Sequence, residues 1–140
     1  MNQEAFGASF EIVGRILSRL AKGGLRRTDL WPVDLFELNY LDEEWPEIDE
    51  HFYDVMTWLE KERAITYQEQ LSGTAGESGF GGVQLTSLGV TLLNSDTGEE
   101  LPRSSIQETL AVDKSLAPTV YTKIGALFGG LLGAYTKTIS

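Results

Sequence analysis

A chain of 140 residues is the size of one domain and leaves no room for a second large one. Its composition, 41% hydrophobic and 23% charged, suits a globular core and excludes a chain disordered throughout. The lack of cysteine removes disulfides, thiol nucleophiles and cysteine-containing zinc sites, and a net charge of −10 sets every phosphate contact against the protein's own field.

The opening residues, MNQEAFGASFEIVGRILSRL, place an acid before any base and lack a cationic start followed by an unbroken apolar run. They make a poor secretory leader, and the cytoplasm is the expected compartment. Between Ala5 and Lys22 the apolar residues Phe6, Phe10, Val13, Leu17 and Leu20 fall on one helical face, widened by Ile12 and Ile16, and Gly23-Gly24 closes the helix. Arg15, Arg19, Lys22, Arg26 and Arg27 make this helix and its exit a basic neighbourhood. Such a cluster can bind phosphate; the plainer reading is a solvated face whose cations complement the helix dipole.

Thr28 to Glu50 is acidic, TDLWPVDLFELNYLDEEWPEIDE. Trp31-Pro32 and Trp45-Pro46 act as local stops, because the residue before proline is pushed out of the helical region, so a short helix or strand fits between them. Leu35, Phe36, Leu38, Tyr40, Leu41 and Ile48 are expected to pack on the first helix. From Thr28 through Glu62 there are twelve acids against one base, Lys61. A run of this kind is ordinarily a solvated face. This one borders two tryptophans and a tyrosine, and large rings are the usual anchors of protein-recognition surfaces.

A long helix is predicted from Asp49 to Arg63, with Asp49 as N-cap, Glu50 and Asp54 near its positive end, and Lys61 and Arg63 at its negative end. Phe52, Val55, Met56 and Leu59 face the core, which turns His51, Tyr53, Asp54, Thr57, Glu60 and Lys61 outward. Ile65 to Gln70 alternates as a strand and pairs with Phe80 to Thr86; Gly73, Gly76, Gly79, Gly81 and Gly82 predict a flexible tip. No lysine or arginine lies between Arg63 and Arg103. Asn94 to Pro118 reads as a polar connection, with Ser105 and Glu108 as a capping box ahead of a short helix carrying Ile106, Leu110 and Leu116.

The closing segment, PTVYTKIGALFGGLLGAYTKTIS, starts a helix at Pro118. Gly125, Gly129 and Gly133 are spaced by four, and Ala126, Gly130 and Ala134 form a second small row beside them. Val120, Ile124, Leu127, Phe128, Leu131 and Tyr135 cover the opposite side. Small rows let helix backbones approach closely, so Gly125, Ala126, Gly129, Gly130 and Gly133 are the expected interface of a homodimer, beside the plainer reading of a helix docked on its own domain. The apolar run from Ile124 to Tyr135 is far short of the ~20 residues that span a bilayer, so a transmembrane helix is not expected and contact with a membrane surface stays open.

The order helix, hairpin, helix from Phe52 to Leu93 resembles the winged-helix family, in which a recognition helix ends in L-x-x-x-G-L-I, feeds a two-stranded wing and closes with L-T-x-x-G-x-x-L. Leu59, Ile65, Leu85, Thr86, Gly89 and Leu92 carry the match, while Arg63-Ala64 stands where the family has its glycine. The resemblance implies an α+β, mainly helical fold. Residues 1–94 would form three helices and a β-hairpin wing, 95–117 a polar linker with room for a short helix, and 118–140 a glycine-rich C-terminal helical extension. It also implies a soluble, non-enzymatic protein. Base and phosphate contacts draw on Arg, Lys, Asn and Gln, whereas the outward face of the recognition helix here sets Lys61 among carboxylates.

Chemistry finds little footing. His51 is the one histidine, at a helix start beside Glu50, and is expected to be solvated. GESGFGG around Ser78 lacks both the nucleophile-elbow spacing and the phosphate-loop patterns. The acids at 42, 43, 44, 47, 49 and 50 lack the alternate-position ligands and central glycine of a calcium loop. No catalytic residue, metal site or cofactor is expected. The function expected is a protein-binding module of inhibitor, immunity-like or adaptor type, taking a basic partner on Asp42, Glu43, Glu44, Trp45, Glu47, Glu50, Tyr53 and Asp54. The alternatives are a winged-helix transcription regulator that binds DNA through its first helix, and a homo-oligomer assembled through the C-terminal helix.

Overall fold

The apolar period of the first helix sets the scaffold. In the computed structural model, which describes residues 3–36, 43–98, 100–101, 103, 105–111 and 116–139, helix α1 (Gln3–Gly23) buries Ile12, Val13, Ile16, Leu17 and Leu20. Phe6 and Phe10 share that face by period but lie toward its open end; Phe6 is 50% exposed. The chain continues through β1 (Thr28–Leu30) and α2 (Pro32–Leu35), so the slot between the two Trp-Pro pairs opens, in its described part, with one turn of helix. Asp34 accepts from the Trp31 backbone N–H at 3.1 Å, tying the start of that turn. Leu38, Tyr40, Leu41 and Asp42, to which the sequence assigns packing and recognition roles, lie outside the described residues.

Helix α3 (Trp45–Lys61) begins four residues before the predicted N-cap. Pro46 sits in its first turn, where a missing backbone N–H costs nothing, so Trp45-Pro46 opens the helix. Asp49, released from capping, accepts from the Ser78 backbone N–H at 2.8 Å and pins the helix to the hairpin. Phe52, Val55, Met56 and Leu59 are buried as their spacing requires, and Trp45 joins them. At the far end Ala64 N–H donates to the Leu59 carbonyl and Arg63 N–H to that of Glu60, both at 3.0 Å. This is the Schellman closure, with Arg63 itself taking the left-handed conformation at φ 65°.

The sheet is antiparallel and four-stranded, in the order β1-β4-β2 with β3 also on β4. Strands β2 (Ile65–Thr66) and β3 (Glu69–Ser72) follow one register against β4 (Ser78–Leu85), with Ile65 opposite Leu85 and Gln70 opposite Phe80, so they are two parts of one hairpin arm. The pairing expected from the sequence is present and extends to Ser72 opposite Ser78. Gly79, Gly81 and Gly82, expected in a flexible tip, are therefore inside β4. Gly82 adopts φ +67° where β1 and β4 slip by one residue, and its N–H is taken by Asp29 at 3.0 Å.

Helix α4 (Ser87–Leu93) is capped by Thr86, whose hydroxyl accepts from Gly89 N–H at 3.0 Å and donates to the Arg63 carbonyl at 2.6 Å. The L-T-x-x-G segment thus binds the end of α3. The polar stretch that follows still feeds Leu101 into the core before α5 (Ile106–Leu110), where the Ser105 hydroxyl accepts from Glu108 N–H at 3.1 Å as the capping motif requires.

Helix α6 (Pro118–Ile139) runs antiparallel along α1. A Cβ on Gly14 would strike the Tyr121 backbone and one on Gly125 would strike that of Phe10, so the two helices touch backbone to backbone. Ile124, Phe128 and Leu132 enter the same core as residues of α1, α3 and the sheet. The close approach that the glycine row permits is thus made at Gly125 within the chain. The fold is α+β and mainly helical, and none of its helices, among the described residues, is long and apolar enough to cross a membrane.

Candidate functional site

Helix α3 separates its residues sharply. Its apolar stripe is buried, and Glu47, Glu50 and Asp54, at helical spacing, stand exposed on the outward side with Glu43 and Glu44 just before the helix. The structure therefore brings these sequence-predicted carboxylates onto one continuous face. Trp45 is a correction: at 7% exposure it belongs to the core and offers a partner no ring. Tyr53 is 36% exposed, but its ring lies 5.7 Å from that of Phe80 and its hydroxyl donates to Gln70 at 3.2 Å. Gln70 in turn donates to the Tyr67 hydroxyl at 3.3 Å, so Tyr53 joins α3 to the hairpin and shows one edge.

The apolar partner of this charged face is one that sequence reasoning missed. Phe6, Phe10 and Val13 of α1 and Val55 and Trp58 of α3 line an open groove of about 260 Å³, with Asp54 on its margin. Phe6 and Phe10 stack with centroids 6.3 Å apart. The available signal was Trp58, a half-buried ring next to Leu59 but off the 52, 55, 56, 59 stripe. A groove lined by rings, with Asp54 at its edge and the exposed acids of α3 leading up to it, is equipped to hold a segment that is apolar on one side and cationic on the other.

His51 is tied to α1 rather than solvated: its Nε2 lies 2.7 Å from Ser9 Oγ. The Ser9 oxygen also lies 3.2 Å from the Ala5 carbonyl, so the hydroxyl sits between its own helix and the imidazole. The pair joins α1 to α3 as a clamp between helices. Among the described residues no group of three or more His, Asp or Glu side chains is placed to hold a metal ion.

The cations of α1 divide. Arg15 pairs with Glu11 at 2.9 Å and donates to the Leu35 carbonyl at 3.0 Å, with the rings of Phe36 and Tyr121 each 4.7 Å from its guanidinium carbon. Arg19, Lys22, Arg26 and Arg27 are exposed. Of the expected interface row, Gly125 and Gly129 face α1 of the same chain, Gly129 against the Phe10 ring. A Cβ on Gly130 or Gly133 would meet open space, and Ala126 is exposed, so these residues form the outer side of α6. Comparison with family models, with curated proteins and with solved structures yields no match.

Proposed function

We propose that this chain is a non-enzymatic protein-binding module of winged-helix-like architecture, of the inhibitor, immunity-like or adaptor kind, that takes a basic partner on the outward face of α3. The architecture is supported by the order α1, β1, α2, α3 followed by a hairpin whose second strand pairs with β1, and by the Thr86 cap that closes α3. The observation that carries the functional reading is the exposed carboxylate row Glu47, Glu50 and Asp54 on α3, which ends with Asp54 on the margin of the open groove of Phe6, Phe10 and Trp58. Fixed charge raises the encounter rate and the rings supply contact energy.

The test is affinity capture at low salt with the intact chain, with Glu43→Lys/Glu44→Lys/Glu47→Lys and with Trp58→Ala, followed by rate measurements on the purified partner. A partner held by the intact chain should associate roughly tenfold more slowly with the charge-reversed protein, with a flatter salt dependence. Trp58→Ala should chiefly speed dissociation. Association and dissociation rates unchanged in both variants would remove this surface from the site.

A further inference from the structure

On another part of the molecule, between the second half of α1, the end of α2 and the start of α6, lies a cleft of about 440 Å³, within the size range of small-molecule sites. Ser18 and Arg19 stand three and four residues after Arg15 and four and three before Lys22, so the four line one side of α1 along it. In a chain of net charge −10, this is a local reversal of sign.

Two observations separate the cleft from an ordinary basic surface. Ser18 is only 9% exposed, and among the described residues its hydroxyl makes no hydrogen bond. No fully buried side-chain polar atom among them lacks a partner, so the Ser18 oxygen is reached by solvent, and the cleft is where it is reached. Arg19 and Lys22 likewise make no ion pair among the described residues and keep their donors free. Arg15 is different. Its Nε is spent on Glu11 and one Nη on the Leu35 carbonyl, and the Phe36 and Tyr121 rings pack on its guanidinium. It holds the walls together.

We propose that this cleft binds the phosphate group of a small phosphomonoester through Ser18, Arg19 and Lys22. With the Arg15 fork occupied, Arg19 is the free guanidinium of the cleft, and donors on two further side chains flank it, more than the single fork that a planar carboxylate needs. What remains is a hydroxyl, a guanidinium and an ammonium on successive turns, three separate donors that suit the three terminal oxygens of a tetrahedral phosphate. The volume exceeds that of a bare phosphate, and half-buried Phe36 and Leu116 provide an apolar wall for the organic remainder. Exposed Asp34 at the rim opposes a long polyanion such as a nucleic-acid backbone. The site is independent of the acidic face of α3.

The test uses the full chain at low ionic strength, with ribose 5-phosphate as probe and ribose, inorganic phosphate and a short DNA duplex as comparisons, followed by calorimetry and by amide chemical shifts. Ribose 5-phosphate should bind saturably with one site, shift the amides of Ser18, Arg19 and Lys22, and be displaced by inorganic phosphate. Arg19→Ala/Lys22→Ala should weaken it at least about tenfold, and Ser18→Ala by about threefold to tenfold. Arg19 and Lys22 are exposed and Ser18→Ala removes only a hydroxyl, so an unfolding midpoint close to that of the parent certifies each variant. Equal affinity for ribose, unchanged affinity in the double variant, or absence of shifts at these residues would overturn the proposal. DNA binding tighter than ribose 5-phosphate through the same residues would overturn it too, in favour of a nucleic-acid surface.

Discussion

Arg63 holds a left-handed backbone at φ 65° in the position where a helix closure of this kind favours glycine. A side chain there costs about 1–2 kcal/mol, against which glycine's greater loss of chain entropy sets roughly 0.5–1 kcal/mol. Arg63 is exposed, so little packing is lost on its removal. Arg63→Gly should raise stability by about 0.5–1 kcal/mol, read as a higher urea midpoint at unchanged slope. A lowered midpoint would mean that the arginine side chain stabilises the fold by more than its backbone strain costs. Arginine at this position therefore bears on stability alone, while the carbonyls of Leu59 and Glu60 still receive their donors.

At the scale of elements, the seam between α1 and α6 turns one substitution into two opposite effects. Alanine in place of a mid-helix glycine ordinarily stabilises by about 1 kcal/mol. Gly130 has open space around its missing Cβ, so Gly130→Ala should raise the unfolding free energy by about that amount. At Gly125 the same methyl meets the Phe10 backbone of α1, which cannot step aside as a flexible side chain would. Gly125→Ala should instead destabilise by about 1–3 kcal/mol through forced separation of the helices. Chemical denaturation of both variants decides it: equal signs would mean that α6 does not dock on α1 in this register.

Over the whole molecule, charge is segregated. Glu43, Glu44, Glu47, Glu50 and Asp54 occupy the outward side of α3, while Arg19, Lys22, Arg26 and Arg27 gather at the exit of α1. A winged-helix protein that reads duplex DNA through α3 would present carboxylates to the phosphates, and its hairpin carries no lysine or arginine. Few counterions would be released, so binding should be weak and only shallowly dependent on salt. Titration against random and genomic fragments at ~0.15 M salt should show no saturable binding tighter than about micromolar. Sequence-dependent binding below that level would restore the transcription-regulator reading.

Much of the fold follows from local pattern. The helical period of α1 and α3, the Ser105 cap and the start of α6 at Pro118 are each set by residues within a few positions of one another, and the register of Ile65 and Gln70 against Leu85 and Phe80 by one hairpin, where spacing and turn chemistry act directly. The carboxylate face of α3 was legible for the same reason. Other features depend on contacts across long stretches of chain. Trp45 and Trp58 exchange the roles their neighbours suggest, because the helix starts four residues early and Trp45 is turned inward. His51 finds Ser9 at a separation of 42 residues, and the glycine row finds α1 through Phe10, more than a hundred positions away. The cleft that gathers Arg15 to Lys22 with Phe36 and Tyr121 exists only once α6 has folded back. No periodicity announces such meetings, because which faces pair is decided by the burial of the whole core at once.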